Sequence, residues 1–195
     1  MRYLFTLSFI FLFGASLMSQ SKRIVLLEHF TNTECSICSS KNPVLHNTLE
    51  SYQGQVRHIS YHHSKPYSSC AIYLENKEDN EGRANYYSAS GSPRAYLNGV
   101  KTSGSQLVTA AALEEELAKP TSIGIAVDQN LDLGKATITI NASTEAPSEN
   151  LKLYVALVEK ELDYDAPNGE TKHYNVFRKF INMNGSDGEA IATPE

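Results

Sequence analysis

Residues 22–43 read KRIVLLEHFTNTECSICSSKNP, and the fold turns on how this stretch is parsed. Ile24, Val25, Leu26 and Leu27 form a continuous apolar run, the pattern of a strand buried on both faces. Thr31 to Glu34 is a polar turn whose side chains can cap a helix. Ile37, Val44, Leu45, Leu49 and Tyr52 then recur at helical spacing until Gly54 ends the pattern. Strand, Cys-x-x-Cys and helix therefore follow one another. Pro43 falls inside the helix, where it removes a backbone hydrogen bond and bends the axis. Cys35 sits at the helix N-terminus, where unpaired N–H groups and the helix dipole favour a thiolate, and Cys38 lies one turn in.

Working outward, QVRHISYHH predicts a second strand with Val56, His58, Ser60 and His62 on one face and Arg57, Ile59 and Tyr61 on the other. His62 and His63 end it in a polar loop, where solvated rings are expected. Cys70 follows in the same loop and reads as a free, unreactive thiol. Arg83, Tyr86 and Tyr87 read as packing and surface residues on a helix. SASGSPRAYLNGVKT predicts a turn, an X-Pro bond, a short strand and an Asn98-Gly99 hairpin. Residues 106–119 carry an amphipathic helix that Pro120 stops.

From Thr121 the texture changes to alternating strands: TSIGIAVDQ, KATITINAS, LKLYVALVEKEL and a weaker HYNVFRKFI. This predicts an all-β, sandwich-type module over 121–195, after an α/β domain over 20–119. Four strands are few for a closed sandwich. Either the module is incomplete or it pairs with something else.

The first 19 residues hold one charge, Arg2, and an apolar core from Tyr3, the layout of a secretory signal peptide cleaved after Ser19. The apolar stretch is short of the ~20 residues a spanning helix needs. Its loss moves the net charge from −5 to −6, because it takes one arginine and no acid. That mild acidity, without a Lys/Arg cluster, excludes nucleic acid as the main partner. Export implies an oxidising compartment in which disulfides persist. With three cysteines, one thiol is left over.

LLEHFTNTECSICSSKNP resembles the active-site region of the thioredoxin superfamily, and SGSPRAYLNG resembles its cis-proline loop, with Ser92-Pro93 as the cis bond. More narrowly, LLEHFTNTEC, YHHSKPY, RANYYSASGSPRAYLNG and HYNVFRKF resemble a family of outer-membrane-protein-related bacterial exported proteins. In that family a thioredoxin-like domain precedes an immunoglobulin-like sandwich. The resemblance implies a Cys35–Cys38 disulfide, with Cys35 as nucleophile and Cys38 as resolving thiol. It implies Ser92 and Pro93 as the substrate loop, and Glu28 as the buried acid that serves Cys38. No Trp precedes Cys35, and Ser36-Ile37 stands between the cysteines in place of Gly-Pro.

Two functions stay open on these residues. The first is an exported thiol–disulfide oxidoreductase, without cofactor, acting on thiols or disulfides of other envelope proteins in the periplasm or at the outer membrane. The second is an envelope binding or adhesion protein that uses the fold as a scaffold, with the cysteine pair a fixed staple. A zinc site built from Cys35, Cys38, Cys70 and one of His58, His62 or His63 is the weakest reading, since there is no second Cys-x-x-Cys and no spaced His pair; no metal is expected.

Overall fold

The structure, a computed structural model, describes residues 22–144, 150–182 and 184–191; the expected signal peptide lies outside them. Strand β1 (Val25–Thr31) runs into helix α1 (Ser36–Glu50), which continues through Pro43. Helix α1 is the crossover that returns the chain to β2 (Val56–His62) in parallel, with Val25 opposite Val56 and Thr31 opposite His62. Helices α2 (Ala71–Glu75) and α3 (Lys77–Tyr86) carry the chain back to β3 (Arg94–Leu97), antiparallel to β1. The Asn98-Gly99 turn then closes the hairpin to β4 (Val100–Lys101). Both turn residues have positive φ, 46° and 85°, the geometry that a two-residue hairpin demands and that Asn-Gly supplies. Helix α4 (Ala110–Leu117) follows, its first turn closed by Thr109 accepting from the Ala112 N–H.

The later strands are β5 (Ile123–Asp132), β6 (Lys135–Thr144), β7 (Lys152–Leu153), β8 (Ala156–Asp163), β9 (Lys172–Phe180) and β10 (Glu189–Ala190). They do not stack as a sandwich among the described residues. Strands β8 and β9 join the first sheet, whose order is β4-β3-β1-β2-β9-β8. Strand β9 runs parallel to β2 at Ser60–Val176 and antiparallel to β8. The physical reason is visible along β9. His173, Val176, Phe177 and Phe180 are all buried, so this strand needs cover on both faces and finds it in the α/β layer. Strands β5 and β6 pair only with each other, and Ile125, Val127 and Leu131 stay exposed. The result is a mixed α/β layer with a central mixed sheet and two further small sheets, compatible with a thioredoxin-like arrangement plus β elements.

Two apolar layers flank the central sheet. Val25, Leu27, Leu45, Val56, Leu97 and Leu113 pack between the sheet and helices α1 and α4. Phe30, Tyr61, Ala84, Tyr96, Phe177 and Phe180 fill the opposite face under α3. Phe30 and Tyr61 stack at 5.3 Å, almost wholly buried, and burial of a side chain of this size contributes about 1.5–3 kcal/mol. No helix among the described residues is long and apolar enough to cross a membrane.

Candidate functional site

Cys35 is the N-cap of α1: its sulfur accepts the Cys38 N–H at 3.1 Å. The first-turn Cys38 N–H, shared with the Cys35 carbonyl at 3.0 Å, thus points at the sulfur, the arrangement that stabilises a thiolate. Cys35 and Cys38 are disulfide-bonded. Cys38 is fully buried and Cys35 is only 4% exposed, more enclosed than a free helix start suggests.

The enclosure comes from a collar of loops. The Ser92-Pro93 bond is cis, and the Ser92 carbonyl oxygen lies 3.8 Å from Cys35 Sγ. His63 Nε2 lies 2.8 Å from Ser92 Oγ, and that hydroxyl donates to the Lys65 carbonyl at 3.1 Å. On the other side Asn32, fully buried, accepts the Cys35 N–H through its carbonyl at 3.1 Å. Its amide donates to the His63 and Tyr67 carbonyls at 2.9 and 2.8 Å. The tip of the β8–β9 hairpin completes the collar. Asn168 donates from its side chain to the Cys35 carbonyl at 3.2 Å and from its backbone to the Thr33 carbonyl at 3.0 Å. Asn32 and Asn168 do not stand out as site residues in the sequence, and His63 reads there as a solvated ring or at most a zinc ligand. Their contribution is made through backbone partners far along the chain, and sequence spacing carries no signal of that kind.

The structure separates Glu28 from the helix of Cys38. Successive strand residues point to opposite faces. Glu28 lies on the α3 side, where Arg83 donates from Nε and Nη2 at 2.7 and 3.0 Å and the Tyr87 hydroxyl also bonds it. Burial, then the Glu28 carboxylate, push the Tyr87 phenol upward. The titratable β1 residue on the α1 side is His29, which shares that face with Leu27 and Thr31.

His29 opens onto a small cavity that it shares with His46, His58, His62, His173 and Glu170. The expected solvated rings at His62 and His63 are buried instead, at 2% and 0% exposure: His62 packs against His173 of β9, and His63 is closed in by Phe30 and the Ser92 loop. Burial, then neighbouring imidazoles, push His29 and His62 down to about 3. Burial also lowers His58 and, more mildly, His46. These rings are neutral at ordinary pH. No group of three or more His, Cys, Asp or Glu among the described residues converges so as to hold a metal ion. Cys70 is a free, fully buried thiol, with the Thr33 hydroxyl donating to its sulfur at 3.1 Å.

Residues 80–195, more than half of the chain, match the family model described as Outer membrane protein Omp28. The chain belongs to the Omp28 family. Omp28 membership makes this an exported protein of the envelope or outer membrane. No curated protein matches the chain. Among solved structures, HBP35 of Porphyromonas gingivalis is similar at a TM-score of 0.72 and 15% identity, over 89% of this chain and 61% of that one. The chain thus spans less than two thirds of the length of that HBP35 structure. A protein of Agrobacterium tumefaciens is similar at a TM-score of 0.54 and 19% identity, over 82% of this chain and 72% of that one. At these identities the likeness concerns the fold.

Proposed function

We propose that this Omp28-family chain is an envelope thiol–disulfide exchange protein with a thioredoxin-like core. The observation that carries the reading is the Cys35 sulfur, capped by the Cys38 N–H at 3.1 Å and faced by the Ser92 carbonyl. The sheet order β4-β3-β1-β2, with α1 crossing between β1 and β2, supports the core assignment.

Starting from the disulfide, a substrate thiolate attacks Cys35 Sγ. A mixed disulfide forms, the Cys35–Cys38 bond breaks, and Cys38 leaves as a thiolate that takes up a proton. A second substrate thiolate then attacks the substrate sulfur of the mixed disulfide. The substrate is released oxidised and Cys35 leaves as a thiolate at the helix N-terminus. Two electrons have passed from substrate to protein, and the reverse sequence reduces a substrate disulfide. Ser92 and Pro93 form the loop on which the substrate chain rests. Glu28, held by Arg83 and Tyr87 on the face away from α1, anchors α3 to β1 and takes no part in the proton transfer. The substrates are thiols or disulfides of other envelope proteins.

The test is the pH dependence of alkylation at Cys35 in the reduced protein. A midpoint well below the free-thiol value of about 8.5 is expected. A midpoint at or above it favours the second reading, a binding protein whose disulfide is a fixed staple. The enclosure of Cys35, at 4% exposure, is the observation on that side. A Cys35→Ser variant that folds and still binds its envelope partner equally well would decide for it.

A further inference from the structure

His63, just past the end of β2, has no part in the electron transfer described above, yet it touches the site from two directions. Its carbonyl accepts from the Asn32 side chain at 2.9 Å, and Asn32 in turn holds the Cys35 N–H. Its ring meets Ser92, whose carbonyl faces Cys35 Sγ. Asn32, His63, Ser92 and Cys35 therefore form a closed circuit of contacts around the reactive sulfur.

The protons in that circuit can be placed. The Ser92 hydroxyl has one proton and gives it to the Lys65 carbonyl at 3.1 Å. Ser92 Oγ is then the acceptor at the 2.8 Å contact, so His63 Nε2 carries hydrogen. Nδ1 is buried and makes no direct hydrogen bond, while the Gly91 backbone beside the ring works against burial and favours its protonation. The ring cannot turn freely, since Phe30 meets it edge-on at 5.7 Å. The charged groups facing it are Glu81 of α3 and Lys65 of the following loop, and the neighbouring titratable ring is His62. Burial holds the imidazole below its ordinary value and so in the neutral form this bonding pattern requires.

We propose that His63 is the positioning residue of the exchange site: its Nε2–H clamps the Ser92 hydroxyl and so fixes the Ser92 carbonyl against Cys35 Sγ. This rests on the exchange reading of the cysteine pair. His63 gains and loses neither proton nor electron in the step. Its effect falls on polypeptide substrates, which must lie on the Ser92-Pro93 loop while their sulfur reaches Cys35. A small dithiol that needs only the sulfur is insensitive to it. A misplacement of ~1 Å at such a loop costs up to ~100-fold in rate.

The experiment compares the full chain with His63→Leu and His63→Gln. Two reductants are used: an unstructured peptide bearing two cysteines, and dithiothreitol. His63→Leu is expected to slow reduction by the peptide ~10-fold or more and to leave dithiothreitol within ~2-fold. His63→Gln, which keeps a donor where Nε2 stands, is expected to restore the peptide rate to within ~3-fold. Equal losses with both reductants, no loss with either, or a Gln variant as slow as the Leu variant would overturn the assignment. An independent readout needs no turnover. Nitrogen-15 spectra of the imidazole should show the Nε2–H tautomer, perturbed in Ser92→Ala. An Nδ1–H tautomer overturns the His63 inference and leaves the exchange reading standing. A wild-type protein that exchanges with neither reductant overturns the exchange reading itself, and the inference with it.

Discussion

Arg83 grips Glu28 across the sheet–helix boundary, with Nε and Nη2 at 2.7 and 3.0 Å from the two carboxylate oxygens and both side chains nearly sealed from solvent. The guanidinium also lies over the rings of Tyr86, Tyr87 and Tyr154 at 4.6, 5.0 and 4.6 Å. An ion pair with this much aromatic cover is a fixed part of the α3–β1 contact.

Removing one partner of that pair leaves the other charge buried and unpaired. Glu28→Ala is therefore expected to cost about 3–5 kcal/mol of stability, because the lost partner strands a desolvated guanidinium. Urea unfolding of the purified variant measures this. A cost below about 1 kcal/mol would show that Arg83 finds water or another acceptor, and that the pair is not a structural anchor.

The imidazole-lined cavity makes stability depend on pH in a set direction. His29 and His62 titrate near 3 in the folded chain and at 6.5 when unfolded, so between those values the unfolded state binds more protons. Their contribution is complete above about pH 6.5 and is lost as the pH falls toward 3. Each supplies a slope of about 1.4 kcal/mol per pH unit inside that window. Urea midpoints measured from pH 4 to pH 8 should rise and then level off, and His62→Leu should flatten the rise. A flat profile in the wild type would mean that the rings are hydrated and titrate normally.

Asn168 reaches the cysteine turn from the β8–β9 hairpin and donates to the Cys35 carbonyl at 3.2 Å. Asn168→Ala is expected to lose about 1 kcal/mol. It should also speed reduction of the Cys35–Cys38 disulfide by dithiothreitol, because the turn that encloses Cys35 is loosened. The rate constant for reduction, followed by alkylation and mass measurement, is the test. An unchanged rate would show that the hairpin tip covers the turn without restraining it.

Cys70 is fully buried beneath the Thr33 hydroxyl. It should resist iodoacetamide in the native protein and react fully in urea, since accessibility governs the reactivity of such a thiol. Rapid native alkylation at Cys70 would mean that the 64–70 loop opens readily.

Much of the fold around the cysteine pair is legible in the sequence. The apolar run at 24–27, the Cys-x-x-Cys at a helix start and the Asn98-Gly99 turn are local patterns, and each element forms where its pattern lies; that Ser92-Pro93 is cis follows from the resemblance to a cis-proline loop. The site is less local. Glu28 and His29 differ by one position in sequence and lie on opposite faces of the sheet, so strand alternation and not residue type sets which of them faces the Cys38 helix. His62 and His63 read as solvated because what buries them lies far along the chain: His173 of β9 for His62, and the Ser92 loop with Phe30 for His63.

The sequence by itself determined what is encoded over a few neighbouring residues: strand or helix from periodicity, the turn chemistry of Asn-Gly, and the placement of Cys35 where α1 begins. Only the tertiary structure decided which sheet received β8 and β9, which face of β1 each side chain took, and which distant loops closed over Cys35. Alternating hydrophobicity says that a strand needs cover but not what supplies it. That choice went to β2, because β9 is apolar on both sides and the open edge of β2 gave it a hydrogen-bonding partner and two buried faces at once.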